Sequence, residues 1–340
     1  MSAWSRVSIT AAELHSFASF SLAPGTINAG TYTIDFCNTT VAYTHRGWND
    51  TIHVRSWLTL ENCNGRLQAL DGGVYSATFG YLLMIQAVAG GYWPLILTLT
   101  LAIHQNSRTI LVVSLVAVKF SWSSRGIPDF YDGILSMVPA INMENFILAD
   151  FWAQQLMKTL GAYPSPYQIR IFCNGTGPEK LTEQGATICS SNRECSVTAS
   201  NLMINWIRYF IAKDPQYPIS NMTDEDFLTA VQVSDREHHS MLKTTSPGMP
   251  KFRDAGGKML SLHGIADEVF PLNGTIAYYQ QVLKLDPTAN GYYRFFDAPG
   301  VGHCQPASGP FPNDAMEQLI AYIEEGIVPH TLNASSPDGP

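Results

Sequence analysis

Two residues in the C-terminal third of the chain have the types and spacing of an acid–base pair. Asp267 follows an apolar run of strand length, Met259 to His263, and His303 lies in a glycine-flanked loop after a second predicted strand, Tyr292 to Phe296. A stretch with helical spacing of apolar residues, Thr275 to Leu285, separates the strands. A carboxylate that orients a histidine lets the imidazole act as general base and then as general acid. The pattern therefore predicts proton transfer by His303.

The elements around this pair predict a strand–helix–strand unit of an α/β fold. In open α/β sheets, catalytic groups gather beyond the carboxyl ends of the strands. An acid followed by a histidine, after an upstream serine, is the chain order of the α/β-hydrolases. Each residue alone also has a plainer interpretation, as a turn aspartate bonded to local amides or as a solvated histidine. His263, at the end of the first strand, is predicted to have a structural or supporting role.

Length and composition indicate a globular protein with a sparsely charged surface. The 340 residues are 46% hydrophobic and 14% charged, which is enough for a full core. A net charge of −8 argues against nucleic acid or an anionic membrane as a partner. Two apolar runs, Tyr92 to Ile103 and Ile110 to Ala117, are each shorter than the roughly 20 residues of a membrane-spanning helix. They predict two buried strands, and no membrane partner is expected.

The cysteines and sequons bear on where the protein works. Six cysteines permit three disulfides, and those between 173 and 195 lack the histidine pairing of a zinc site. The disulfide candidates are Cys37, Cys63, Cys173, Cys189, Cys195 and Cys304. Six Asn-x-Ser/Thr sequons favour a secreted glycoprotein, although no signal peptide is visible at the N-terminus as written. We expect export, with an incomplete or wrongly assigned N-terminus.

Three segments carry a resemblance to a known family. The sequences HGIADEVFPLNGTIAYY, YYRFFDAPGVGHC and DAMEQLIAYIEEGIVP resemble the C-terminal part of the tannase/feruloyl esterase family. Members are secreted α/β-hydrolases that cleave esters of aromatic acids. The resemblance implies an α/β-hydrolase fold in which Asp267 is the acid and His303 the base. In the family, the cysteine at the position of Cys304 forms a disulfide with a cysteine beside the nucleophile, but Val113 replaces that cysteine here, so Cys304 lacks its family partner. The resemblance also implies that the chemistry requires no cofactor.

The same resemblance implies a division of the chain into three parts. Residues 1–150 would form the N-terminal part of the hydrolase core, 151–210 a shortened lid, and 211–340 the C-terminal part that carries the acid and base. Trp152 and Trp206 would be lid aromatics that could stack on a phenolic ring. The lid of the family binds a structural calcium ion through a loop with several aspartates. Here the segment between Cys173 and Cys195 has only three acidic residues, all glutamates, so the family's calcium loop is not found. These residues are Glu179, Glu183 and Glu194.

The nucleophile of the family aligns with Ser114. The resemblance resumes at Pro128, and counting back fourteen positions, as in the family, reaches this serine. The family surrounds its serine with a cysteine and glycines, whereas here Val112, Val113 and Val116 favour a continuing strand over a tight strand-to-helix turn. Ser114 is therefore predicted either as the nucleophile or as a buried serine of a core strand.

An error in the coding sequence could explain the altered nucleophile region. Codons for the family's Gly-Gly-Arg-Gln, read one nucleotide late, can yield the Val-Ala-Val-Lys found at 116–119.

Three functional hypotheses follow. The first is a carboxylic ester hydrolase that acts on feruloyl or galloyl esters of sugars, polysaccharides or tannins by acyl transfer, with an oxyanion hole near Gly72-Gly73. The second is a catalytically impaired relative with at most a binding role. The third is a serine peptidase on the same fold. Outside the pair, His238-His239 lies in a polar stretch that is predicted to be a solvated helix face rather than a metal site.

Overall fold

The computed structural model describes most of the chain, with gaps. The described residues are 4–22, 30–45, 51–70, 82–96, 108–114, 131–165, 184–190, 195–199, 201–242, 246–303 and 309–335.

A nine-stranded mixed sheet organises these residues. Its strands are β1 (Trp4–Leu22), β2 (Gly30–His45), β3 (Ile52–Thr59), β4 (Arg66–Leu70), β5 (Trp93–Ile96), β6 (Arg108–Ser114), β7 (Gly133–Met137), β10 (Lys258–Gly264) and β11 (Tyr293–Ala298). Their spatial order is β1-β2-β3-β5-β4-β6-β7-β10-β11. The first three neighbouring pairs in this order are antiparallel, and from β5 to β11 every neighbouring pair is parallel.

Two short two-stranded sheets lie outside the main sheet. They pair β8 (Gln184–Cys189) with β9 (Cys195–Ala199), and β12 (Phe311–Pro312) with β13 (Ala334–Ser335).

Seven α-helices are described along with the strands. They are α1 (Leu82–Ala89), α2 (Met143–Leu160), α3 (Asn201–Asn205), α4 (Asp224–Leu242), α5 (Pro250–Asp254), α6 (Leu272–Leu285) and α7 (Ala315–Glu324), and a π-helix (Trp206–Ile211) continues α3. In the described residues, no helix is both long enough and apolar enough to cross a bilayer.

The parallel part of the sheet is covered on both faces. In β10, Met259 packs into a cluster with Tyr278 and Val282 of α6, whereas Leu260 packs into a second cluster with Leu319 of α7. Successive side chains of a strand point to opposite faces, so a strand covered by helices on both sides must be apolar throughout. This explains the continuous apolar run that predicted β10.

A third hydrophobic cluster lies away from the sheet. It joins α2, α3, the π-helix and α4 through buried residues such as Phe151, Trp206 and Phe227. The predicted boundary between residues 150 and 151 falls inside α2, which runs without interruption from Met143 to Leu160. The three-part division of the chain stays a prediction.

The predicted strands are confirmed within the described residues. β5 lies within the first apolar run, and β6 begins two residues before the second run and ends inside it. β1 was not predicted, because its sequence has no sustained alternation of apolar and polar residues.

Candidate active site

The structure brings Asp267 and His303 into direct contact. His303 Nδ1 lies 3.0 Å from Asp267 Oδ2 and 3.2 Å from Oδ1. The Asp267 side chain is buried, and that of His303 is 16% exposed. A carboxylate only accepts, so Nδ1 carries the proton and donates it to Asp267. Within the described part of the chain, His303 Nε2 has no hydrogen-bond partner, and it is free to take a proton from another group.

Two loops place these side chains, and the backbone ties the loops together. The N–H of Ile265 donates to the carbonyl of Ala298 (2.9 Å), and the N–H of Ala266 donates to the carbonyl of Val301 (3.0 Å). Gly264 permits this close approach, because a Cβ atom there would overlap the carbonyl oxygen of Val301. The backbone N–H of His303 also donates to Glu268 Oε2 at 3.0 Å, which fixes the histidine loop against the acid loop.

The surroundings of Asp267 hold it in the charged form. Its Oδ1 accepts the backbone N–H groups of Val269 (2.8 Å) and Phe270 (2.7 Å). Burial alone would raise the pKa of Asp267, but hydrogen bonds from His263, His303 and the Phe270 N–H outweigh it and hold the pKa well below its usual range. An ionised Asp267 keeps the proton of His303 on Nδ1 and leaves Nε2 as the base.

His263 supports the acid from beneath, as predicted. It is fully buried, and its Nε2 lies 3.1 Å from the carbonyl of Phe270 and 3.4 Å from Asp267 Oδ2. Both neighbours accept only, so Nε2 carries a proton. In the neutral imidazole, Nδ1 then accepts from the hydroxyl of Thr275, 2.9 Å away. His263 is therefore a positioning residue, since its hydrogen bonds are used within the protein.

An aromatic ring and a further carboxyl group adjoin the pair. The Phe270 ring meets His303 edge to face, with centroids 4.8 Å apart. Asp150 lies on α2, and burial, together with the negative charge of Asp267, raises the pKa of its carboxyl to about 7. Asp150 was not singled out in the sequence, because nothing in a helix pattern shows which distant carboxylate its side chain will approach.

The strand that ends in Ser114 lies at the same edge of the sheet. Ser114 is the last residue of β6 and pairs in register with Met137 of β7. Met137 is level with Leu262 of β10, which is level with Phe296 of β11. The carboxyl ends of the strands that precede the predicted nucleophile, acid and base are therefore level with one another.

Comparison with known proteins agrees with this geometry. The family model for tannase and feruloyl esterase matches residues 170–339. The chain belongs to this family.

Relatives and solved structures extend the similarity beyond the matched segment. A probable feruloyl esterase of Arthroderma benhamiae is 26% identical, over 90% of this chain and 80% of the relative. The tannase of Aspergillus oryzae is 30% identical, but over only 36% of this chain and 23% of the relative. Tannin acyl hydrolase from Aspergillus niger superposes with a TM-score of 0.80 at 19% identity, over 97% of this chain and 86% of that structure. The predicted α/β-hydrolase fold is confirmed, and family and relatives together support a carboxylic ester hydrolase.

Other residues that the family resemblance singled out have different outcomes. Trp206 is buried and donates its Nε1–H to Ser234 Oγ at 3.0 Å. The prediction that its ring could stack on a substrate is therefore wrong. Trp152 is 43% exposed and packs on Phe227. Gly72-Gly73 and the glutamates at 179, 183 and 194 lie outside the described residues, so the oxyanion hole and the expectation on calcium stay predictions.

The predicted solvated face at His238-His239 is wrong. His238 is buried, with its ring 5.0 Å from that of Trp206 and its Nε2 3.2 Å from the carbonyl of Phe210. His239 is partly exposed and faces α2. Both depart from the prediction because α4 packs its histidine-bearing side against neighbouring helices.

The cysteines divide into three groups. Cys37 in β2 and Cys63 after β3 are free thiols, so the structure does not support a disulfide at either position. Cys189 and Cys195 are register partners at the end of the β8–β9 hairpin. Cys173 and Cys304 lie outside the described residues, and their disulfides stay predictions.

Proposed function

We propose that this chain is a serine ester hydrolase that cleaves esters of aromatic acids, namely feruloyl or galloyl esters of sugars, polysaccharides or tannins. The observation that carries the proposal is the hydrogen bond from His303 Nδ1 to the buried carboxylate of Asp267. Family membership supplies the class of reaction, and the names of the feruloyl esterase and tannase relatives support the class of substrate.

The chemistry would proceed by acyl transfer through Ser114. His303 Nε2 removes the hydroxyl proton as the serine oxygen attacks the ester carbonyl, and Asp267 stabilises the imidazolium that forms. The tetrahedral intermediate then expels the alcohol, which takes the proton from Nε2. Water, deprotonated by the same nitrogen, cleaves the acyl-serine and releases the aromatic acid. No cofactor takes part, and secretion as a disulfide-bonded glycoprotein belongs to the same proposal.

The sequence next to Ser114 favours a second candidate, an impaired relative with at most a binding role. Ser114 still pairs as a strand residue, and Val112 pairs with Leu135 in the same ladder. Branched side chains beside a nucleophile resist the tight turn that exposes its oxygen. In this candidate the Asp267–His303 pair persists without a hydroxyl to activate.

A serine-reactive fluorophosphonate probe distinguishes the two candidates. We expect labelling of the full chain, loss of labelling in Ser114→Ala, and retention in Ser220→Ala, an exposed matched control. Hydrolysis of methyl ferulate and methyl gallate should follow the same pattern. A well-folded sample that neither labels nor hydrolyses these esters would establish the impaired relative, and labelling that survives Ser114→Ala would assign the nucleophile elsewhere.

A further inference from the structure

Three side chains of metal-binding type, none of them part of the acid–base pair, meet between α2 and α4. They are Glu144 in the first turn of α2 and, one turn apart on α4, Asp235 and His239. One ligand atom from each lies within 4.8 Å of the other two. We call these three residues the interhelical cluster. They lie outside the segment between Cys173 and Cys195, where the family's calcium loop was sought.

The two distances from His239 to the carboxylates match those between ligand atoms of a tetrahedral metal site. His239 Nδ1 lies 3.2 Å from Asp235 Oδ1 and 3.5 Å from Glu144 Oε1. Ligand atoms about 2.1 Å from a tetrahedral zinc ion are about 3.4 Å from one another. One imidazole nitrogen with two carboxylate oxygens is also a donor set that zinc and related divalent ions accept.

The orientation of His239 argues against a simple hydrogen bond. Its Nδ1 atom is buried, yet it makes no hydrogen bond within the described residues, although two carboxylate oxygens are this close. A hydrogen bond weakens steeply when the acceptor lies off the N–H direction. A neutral Nδ1 can instead direct its lone pair at an ion that lies between the three groups. Each carboxylate oxygen then lies off the direction of that lone pair.

Charge and burial also favour a divalent ion. Glu144 is fully buried, and the low dielectric of a buried position strengthens the attraction between its carboxylate and an ion held by the three groups. Two carboxylates with a neutral imidazole carry two negative charges, which a divalent ion neutralises. The Asp235 side chain is 58% exposed, so an ion can enter from that side.

A buried hydrogen bond holds the two helices in register at this point. Ser234, next to Asp235, donates its hydroxyl to the backbone carbonyl of Glu144 at 2.5 Å, and Trp206 Nε1 donates to the same hydroxyl oxygen. Residues four apart share one helix face, so Asp235 and His239 face Glu144 together. The protein thus positions the three ligands before an ion binds.

We propose that Glu144, Asp235 and His239 bind one divalent transition-metal ion of the zinc type, with water in the fourth position. The ion fastens α2 to α4 and takes no part in ester cleavage.

Binding by the full chain tests this proposal. After treatment with EDTA and dialysis into metal-free buffer, zinc chloride is titrated by calorimetry and the retained metal is counted by mass spectrometry. We expect about one equivalent of zinc and a melting temperature that rises with zinc concentration. His239→Gln and Asp235→Asn should each weaken zinc binding at least about tenfold. Matched controls are His330→Gln, at an exposed position, and Glu225→Gln, in the first turn of α4, and both should bind like the wild type.

Two results would overturn the proposal. One is the absence of saturable zinc binding, or binding of wild-type strength in both His239→Gln and Asp235→Asn. The other is a melting temperature that does not change with zinc concentration. Because Asp235 and His239 are partly exposed, the test does not depend on whether Glu144→Gln folds.

Discussion

The acid–base pair and the interhelical cluster use the same side-chain types on different scaffolds. Asp267 lies in a loop, where unpaired backbone N–H groups are available, and it accepts two of them in addition to its histidines. Asp235 and Glu144 lie in helices, whose backbone N–H groups are mostly used within the helix. A carboxylate–histidine contact after a strand can therefore be complete without an ion, whereas we propose that the one between helices binds a divalent ion.

The largest expected effect is the loss of the base. His303→Ala should lower kcat for methyl ferulate by about 10³-fold or more, because His303 is the proposed acceptor of the serine proton. The melting temperature should also fall, since the ring is only 16% exposed and its hydrogen bond stabilises the buried carboxylate of Asp267. His330→Ala is the matched control. If His303→Ala retained most of its activity, His303 would not be the base, and the acid–base pair would not be catalytic.

Asp267→Asn should have the next largest effect. An amide in place of the carboxylate no longer fixes the Nδ1–H tautomer, and kcat should fall by about 10²- to 10⁴-fold. The pKa of Asp267 is lower in the folded than in the unfolded state, so its charge stabilises the fold above the unfolded value near 4, and this contribution is lost as pH falls. Denaturant titrations from pH 3 to 7 should show acid sensitivity in the wild type that the variant lacks.

Gly264→Ala tests whether close backbone contact sets the geometry of the pair. The new methyl group would push the Val301 carbonyl and the histidine loop away, and we expect a loss of about 2 kcal/mol in unfolding free energy and a tenfold or greater loss of activity. Gly274→Ala in α6 is the control, because a Cβ atom there meets nothing within 4 Å. Equal behaviour of the two variants would show that the contact is unimportant.

The smallest effect on activity is expected at Asp150, on the helix that also carries Glu144. The pKa of its carboxyl is about 7, above the unfolded value near 4, so the folded state binds an extra proton and loses stability as pH rises from about 4 to 7. Asp150→Asn removes this loss and should be more stable than the wild type at pH 8, by at most about 4 kcal/mol, but not at pH 4. Chemical denaturation at both pH values, with Asp254→Asn as an exposed control, measures the difference.

The sequence predicted the acid–base half of the site because its signals are local. An apolar run, a loop acid, an amphipathic helix and a glycine-flanked histidine follow one another between Lys258 and His303, and the chain brings them together without distant segments. The family motifs covered the same residues. The strand that ends in Ser114 was also predicted, from its apolar run.

The interhelical cluster could not be predicted in the same way. Glu144 is remote in sequence from Asp235 and His239, and only the packing of α2 on α4 shows that they meet. The polar residues around His239 are what a solvated helix face would also contain. The burial of Trp206 was missed for a related reason, since the π-helix that carries it turns the indole inward toward Ser234.

The pairing of β10 with β11 has a consequence for how such enzymes vary. The acid and the histidine belong to one continuous stretch whose two strands are immediate neighbours, so their spacing is set by short-range chain connectivity. Insertions or deletions in the predicted lid, residues 151–210, can change its length without disturbing that spacing. Descendants of one ancestral gene can thus diverge widely in size while inheriting the same proton-transfer distance.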